Sequence, residues 1–197
     1  MKIAKHQKLP LFPTTIWVFE LAEMEAYYED WISSINKSRF IEEQSKGRST
    51  RNGWSGPKTL FNDVTFKPLF DCAHKLFSLA FKDMQVMDNF RFRIEGWANV
   101  HDKDGLNYGH IHREANLSGS FYLSVPNGGG AICFHDPRPA TLYTQPLGKG
   151  VNHWGKICIT PKTGSFIIFP SWLEHSVEPN QSDDKRHVIA VNAIRVF

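Results

Sequence analysis

Long apolar runs are missing from this chain. Nowhere do about eighteen consecutive apolar residues occur, so no membrane-spanning helix is expected. Met1 to Lys8 hold no apolar h-region, which argues against a secretory leader. Cysteine is scarce: Cys72, Cys133 and Cys158 are the only three, and none shows C-x-x-C or C-x-x-H spacing. That excludes a zinc knuckle and a disulfide frame, and the three are expected as reduced, buried thiols of a soluble cytoplasmic protein. An excess of charge is lacking too. The balance of 23 basic and 20 acidic residues leaves a net charge of +3, which argues against a long nucleic acid as partner. Internal repeats and low-complexity tracts are absent, which excludes a solenoid.

What is present fits one globular domain of 197 residues, rich in aromatic side chains (13%) of the kind that pack β-sheets. Leu9 to Phe19 reads as a proline-punctuated entry and a short strand. Over about 20–36, Leu21, Met24, Tyr28, Trp31, Ile32 and Ile35 recur at helical spacing, with acidic residues in the first turns. A second amphipathic helix is expected over about 66–83, with Phe66, Leu69, Phe70, Ala73, Leu76, Phe77, Ala80 and Phe81 on one stripe. Between them, residues 37–63 read as a long polar loop.

From residue 90 the period changes to two. Phe90, Phe92, Ile94, Gly96, Ala98 and Val100 share one face of a strand, and Arg91, Arg93, Glu95, Trp97 and Asn99 the other. His101 to Gly105 reads as a turn, and Pro126 to Gly130 as a hairpin signal between strands 117–125 and 131–135. Residues 136–156 form a Pro- and Gly-rich excursion, followed by extended runs at 157–160, 164–169 and 186–197. The expected architecture is mainly β with flanking helices: a double-stranded β-helix (jelly-roll, cupin-like) barrel over about 90–197, with the helices of about 1–89 packed on it.

Histidine carries the chemistry. His110 and His112 stand at i and i+2, hence on one face of an extended chain. His175 follows 63 residues later (175 − 112), after another extended run. Three neutral imidazoles meeting in a barrel mouth make a metal site. Arg186 opens the last strand, and an arginine among imidazoles and apolar residues wants a carboxylate to pair with.

The segments Gly96–Val100, His110–His112, Leu117–Leu123, Phe134–Arg138 and Phe169-Pro-Ser-Trp-Leu-Glu-His-Ser-Val-Glu-Pro-Asn180 together resemble the 2-oxoglutarate- and Fe(II)-dependent oxygenases. Within them they are most similar to a small group of H-x-H proteins. The resemblance implies Fe(II) held by His110, His112 and His175. It implies 2-oxoglutarate held at its distal carboxylate by Arg186, with the Tyr122 hydroxyl beside it. Asn99, Glu114, Trp172 and Asn192 are the candidates for substrate contact or support of the site, Trp172 by packing the turn before His175. The implied reaction couples 2-oxoglutarate decarboxylation to oxidation of a substrate by O2, most simply a hydroxylation, with the loops 37–63 and 136–156 as substrate lids. The larger superfamily has H-x-D…H, so His112 stands where a carboxylate would be, which leaves open whether Glu114 supplies the anion.

Two other readings stay open on the residues alone. His110-x-His112-x-Glu114 with Gly119, then Gly164-x5-Pro170 and His175, approach the two motifs of a metal-dependent cupin that uses no 2-oxoglutarate. A non-catalytic β-helix binding module is the third, since fold alone does not decide function. A homodimer through an exposed strand edge is equally open.

Overall fold

The helices form where the apolar spacing demands. In the computed structural model, which describes residues 7, 12–41, 49–87, 89–138, 143 and 155–196, α2 spans Lys67–Asp83 with a proline in its first turn. It buries Leu69, Phe70, Ala73, Leu76, Phe77, Ala80 and Phe81 on one stripe. The first helix starts later than its periodicity predicts. Ala22–Tyr27 is a 3-10 turn, and α1 runs Tyr28–Ile41, burying Trp31 and Ile35. The Trp31 indole N–H donates to the Thr65 carbonyl at 2.8 Å, and its ring stacks on Tyr27 and Phe66.

Nine strands follow one another among the described residues: β1 Trp17–Glu20, β2 Thr50–Ser55, β3 Arg91–His110, β4 Leu117–Ser124, β5 Ile132–His135, β6 Lys156–Ile159, β7 Ser165–Pro170, β8 His175–Val177 and β9 Arg186–Val196. They form one antiparallel sheet in the order β1-β7-β4-β9-β3-β8-β5-β6, with β2 also paired to β3. The sheet curls into a double-stranded β-helix. Its major leaf is β1-β7-β4-β9-β3 and its minor leaf β8-β5-β6. The 20-residue β3 belongs to both: Arg91–His101 pair with β9, whereas Asn107 and His110 pair with β8.

The helices cover the outer face of the major leaf. Gly96 makes their close approach feasible, because a Cβ there would lie 2.6 Å from the Phe70 ring.

Four expectations change. His101 to Gly105 is not a chain reversal. The partners of Arg51 and Gly53 on β3 are Leu106 and His101, so residues 102–105 bulge out of a continuing strand. That bulge is held by Arg39, which grips the Asp102 carboxylate with both terminal nitrogens at 3.0 and 2.5 Å. Pro126 to Gly130 is not a hairpin either. β4 pairs with β7 and β9 while β5 pairs with β6 and β8, so this turn carries the chain from one leaf to the other. Gly130 sits there at φ +80°, where a Cβ would meet the Glu178 and Pro179 carbonyls at 2.6 and 2.7 Å. Part of the expected 37–63 loop is strand β2; of the rest, 42–48 lies outside the described residues, as does most of the excursion 136–156.

The fourth correction concerns cysteine. Cys133 and Cys158 are directly opposed on β5 and β6 and form a disulfide, with Cα atoms 3.9 Å apart. Twenty-five residues separate them in sequence, so no local spacing signals the pair. Only Cys72 is a free thiol, and the cysteine argument for a reducing compartment falls away. Among the described residues no helix is long and apolar enough to cross a membrane.

Candidate metal centre and cofactor pocket

The seam between the two leaves brings the three histidines together. His110 ends β3 directly opposite His175, which opens β8, and His112 lies two residues beyond the end of β3. Ring centroids are 4.3 Å apart for His110 and His175, and 5.2 Å for each of the other two pairs. One ring nitrogen from each lies within 4.8 Å of the others. Phe169, 4.5 Å from the His175 ring, and Phe134 wall off its far side.

Every ring is oriented through Nδ1. His110 Nδ1–H donates to the Tyr108 carbonyl at 2.7 Å, and His175 Nδ1–H to the Leu173 carbonyl at 3.0 Å. His112 Nδ1–H donates to Asn192 Oδ1 at 2.7 Å, with Ser118 Oγ alongside at 2.8 Å. A carbonyl only accepts, so each Nδ1 carries the proton and each Nε2 keeps its lone pair. That is the tautomer a metal-ligating histidine requires. The Ser49 hydroxyl, 3.4 Å from His110 Nε2, meets the same lone pair. Burial, then the neighbouring His110, pushes His175 down to about 3, so the neutral form is held across the physiological range. Burial lowers His110 as well.

Behind His112 runs a chain of side chains of which the sequence reading named only Asn192. Asn192 Nδ2 donates to Glu95 Oε1 at 3.2 Å, and Lys58 Nζ reaches the same oxygen at 2.7 Å. Ser118 Oγ donates to Asn192 Oδ1 at 2.9 Å and is itself 2.8 Å from Ser171 Oγ. The alternation over 90–100 did place Glu95 on one face of β3 with Trp97 and Asn99, but a polar sheet face ordinarily meets water, so its burial was not legible. Trp97 backs the His112 ring at 5.6 Å, and Lys58 lies over the Trp97 ring.

A cleft of about 360 Å³ opens over His110 and His112, lined also by Ser55, Asn99, Asn107 and Glu114. Asn99 and Asn192 are thus both at the site, Asn192 as the partner of His112. Glu114 is exposed on the rim. Trp172, expected to pack the turn before His175, is instead 55% exposed, and Leu173 is the buried residue there.

Arg186 is fully buried. Its Nη1 donates to the carbonyls of Gly129 and Glu178, and its Nη2 lies 3.5 Å from that of Gly105. Nε has no partner, and among the described residues no carboxylate pairs with this guanidinium. Burial draws its pKa down to about 10, so it remains a cation at neutral pH. Tyr122, on the same interior face, is buried and has its phenol pKa raised by that burial, with the Arg186 charge acting the other way.

Residues 95–192, which hold all three histidines, Tyr122, Arg186, Glu95 and Asn192, match the family described as "Putative 2OG-Fe(II) oxygenase". The chain belongs to the 2OG-Fe(II) oxygenase family. No curated protein matches it. Among solved structures it is similar in fold to a Pseudomonas putida prolyl-4-hydroxylase, with TM-score 0.66, 12% identity, and 93% of this chain and 94% of that one covered. HygX from Streptomyces hygroscopicus with nickel and 2-oxoglutarate bound gives TM-score 0.64, 13% identity and coverage of 93% and 84%. A prolyl hydroxylase in complex with a hypoxia inducible factor peptide fragment from Trichoplax adhaerens gives 0.63, 11%, 91% and 83%.

An enzyme of this family uses Fe(II) and 2-oxoglutarate, with O2 as second cosubstrate, which decides against the cupin and binding-module readings. The residues present fit both groups. Three neutral imidazoles, one ring nitrogen of each within 4.8 Å of the others, are a donor set for a borderline divalent ion. A buried guanidinium with an orphan Nε and no acid is a donor set for a carboxylate. The oxygenase therefore offers a place for each end of a 2-oxo diacid.

Proposed function

We propose that this oxygenase is a hydroxylase whose iron is held by His110, His112 and His175 through Nε2, and that Arg186 and Tyr122 hold the distal carboxylate of 2-oxoglutarate. The observation that carries the reading is the convergence of one ring nitrogen from each of the three histidines, with every Nδ1 already committed to an acceptor. The position of Arg186 supports it. Its guanidinium meets the Glu178 carbonyl, three residues along from His175, which is about 10 Å of strand and within reach of a five-carbon diacid anchored at the histidines. The iron, when bound, supplies activation of O2: 2-oxoglutarate, O2 and R–H become succinate, CO2 and R–OH, one oxygen atom going to succinate and one to the substrate.

The chain's own residues orient and exclude. Phe134, Phe169 and Leu173 keep water from the His175 side of the site. The cleft over His110 and His112, walled by β2 and by Trp97 and Asn99, receives the substrate.

Anaerobic titration of the Fe(II)-loaded protein with 2-oxoglutarate tests this. The weak visible charge-transfer band of a chelated 2-oxo acid is expected. Iron binding without that band sinks the placement of 2-oxoglutarate, and no iron binding sinks the three-histidine site.

A further inference from the structure

Three neutral imidazoles would leave the double charge of a divalent ion without an anion among its protein ligands. The acids near the centre differ sharply in placement. Glu114 and Glu174 are exposed, where solvent weakens their fields, although the Glu174 charge still acts on His110 against the effect of burial. Glu95 is the one Asp or Glu buried among the described residues, at 8% exposure. Burial alone would raise its carboxyl pKa, but hydrogen bonds from Lys58 and Asn192 outweigh that and hold it below the ordinary value, so it is an anion.

Its contacts lead in one direction. The Asn192 amide takes up a fixed orientation, Nδ2 toward the Glu95 carboxylate at 3.2 Å and Oδ1 toward His112 Nδ1 at 2.7 Å. Swapped by a flip, the amide would face an acid with its oxygen and an N–H with its nitrogen, losing both bonds. The Ser118 hydroxyl donates to the same Oδ1 at 2.9 Å, completing its acceptor capacity. Glu95, Asn192 and Ser118 are all nearly buried, so this chain lies where the local dielectric is low and each bond polarises the next. His110 and His175 have nothing comparable: their Nδ1 protons go to the main-chain carbonyls of Tyr108 and Leu173.

We propose that Glu95 is the anionic partner of the histidine centre, its charge relayed through the Asn192 amide to His112, where it strengthens Nε2 as a ligand. Glu95 is a positioning residue, not a metal ligand. Lys58, at 2.7 Å from the same carboxylate, opposes the effect by neutralising part of that charge. The proposal rests on the three-histidine reading, and it assigns to Glu95 the anion whose absence from the H-x-H sequence the exposed Glu114 does not make good.

The test uses Co(II) as probe, its dissociation constant measured anaerobically by chelator competition on the full chain. Circular dichroism checks the fold, and side-chain nitrogen NMR of the metal-free protein reads the His112 tautomer. Glu95→Gln keeps a carbonyl acceptor for Asn192 and removes only the charge, so Co(II) binding is expected to weaken by about 10- to 100-fold. Lys58→Met, which frees the full Glu95 charge, is expected to tighten binding, and Glu114→Gln to leave it unchanged. A purely structural role would weaken binding in both Glu95→Gln and Lys58→Met, so the opposite signs are the decisive readout. Glu95→Gln that folds and binds Co(II) like the parent overturns the proposal. Should Glu95→Gln not fold, Lys58→Met decides alone: tighter binding supports the relay, and equal or weaker binding overturns it. A parent protein that takes up no Co(II) is a different failure, since it removes the three-histidine centre itself.

Discussion

On β4, Leu117, Phe121 and Leu123 face the helices, while Ser118 and Tyr122 face the barrel interior. β9 repeats the contrast: Ile189, Val191 and Ala193 lie in the helix-covered core, and Arg186, Val188 and Asn192 point the other way. The outer face is mainly hydrocarbon and aromatic rings, including Trp31 edge-on to Phe121 and Phe77 edge-on to Phe166, with His187 against Asn36 of α1 as its buried polar exception. The interior mixes apolar walls with buried polar groups, nearly all of them hydrogen-bonded. One sheet therefore separates two tasks. Its outer face gains stability from burial, at about 25 cal/mol per Å² of apolar area, whereas its inner face gives up part of that gain to hold polar side chains in fixed positions.

Substitutions on the two faces should therefore fail in different ways. His175→Ala, on the inner face, is expected to abolish Fe(II) binding while leaving the circular dichroism of the fold in place, read by metal analysis after anaerobic loading. Loss of structure in this variant would mean that the interior also carries the stability. Phe77→Ala, on the outer face, is expected to cost about 3–5 kcal/mol in denaturant unfolding with little change in metal stoichiometry of the folded fraction. A metal defect as large as the stability defect would erase the contrast. Arg186→Lys keeps a cation but loses the planar fork. Its affinity for 2-oxoglutarate is expected to fall about 10- to 100-fold with metal binding spared. Equal loss of both would remove Arg186 from the role assigned to it.

The smallest effect is electrostatic. His101 and His187 sit at the β3–β9 pairing with their Nδ1 atoms buried and unpartnered, and burial pushes them down to about 3 and about 4. Both folded values lie below the unfolded imidazole value, so the unfolded chain binds more protons as the solution is acidified. Stability is then fully present above about pH 6.5 and falls toward pH 4 and 3, by about 1 kcal/mol for each ring at about pH 5.5. Thermal unfolding across that range measures it, and His187→Gln should flatten the slope. A slope unchanged by that substitution would place the acid sensitivity elsewhere.

Much of the site is legible before folding. The i, i+2 spacing of His110 and His112 is a statement about strand geometry, and the alternation over 90–100 correctly divides β3 into an apolar face and a polar one. The resemblance over 96–180 adds His175, and Arg186 follows from the position of the last strand. What escapes is whatever depends on pairing between distant segments. Thr50–Ser55 becomes a strand only because β3 offers it an edge; its polar, glycine-containing sequence otherwise reads as loop. The Cys133–Cys158 bond exists because β5 and β6 fall into one register. Trp172 turns outward because it sits at the exposed corner of the turn closed by the Leu173 N–H on the Pro170 carbonyl, with Ser171 and Leu173 buried on either side, and its own size carries no information about direction.

Local chemistry alone determined most of what extends and what coils, β2 and the bulge at 102–105 excepted, and that imidazoles and a guanidinium recur where an apolar barrel has no structural need for them. Those are properties of side-chain shape and period, and they survive without a partner strand. The tertiary structure decided which nitrogen of each ring carries the proton and which acid is dry enough to hold its charge close to the centre. It also decided that the amide of Asn192 stands between the two. Such questions turn on distances of about 3 Å between atoms from different strands, and hydrogen bonding and burial acquire meaning only once those strands are side by side.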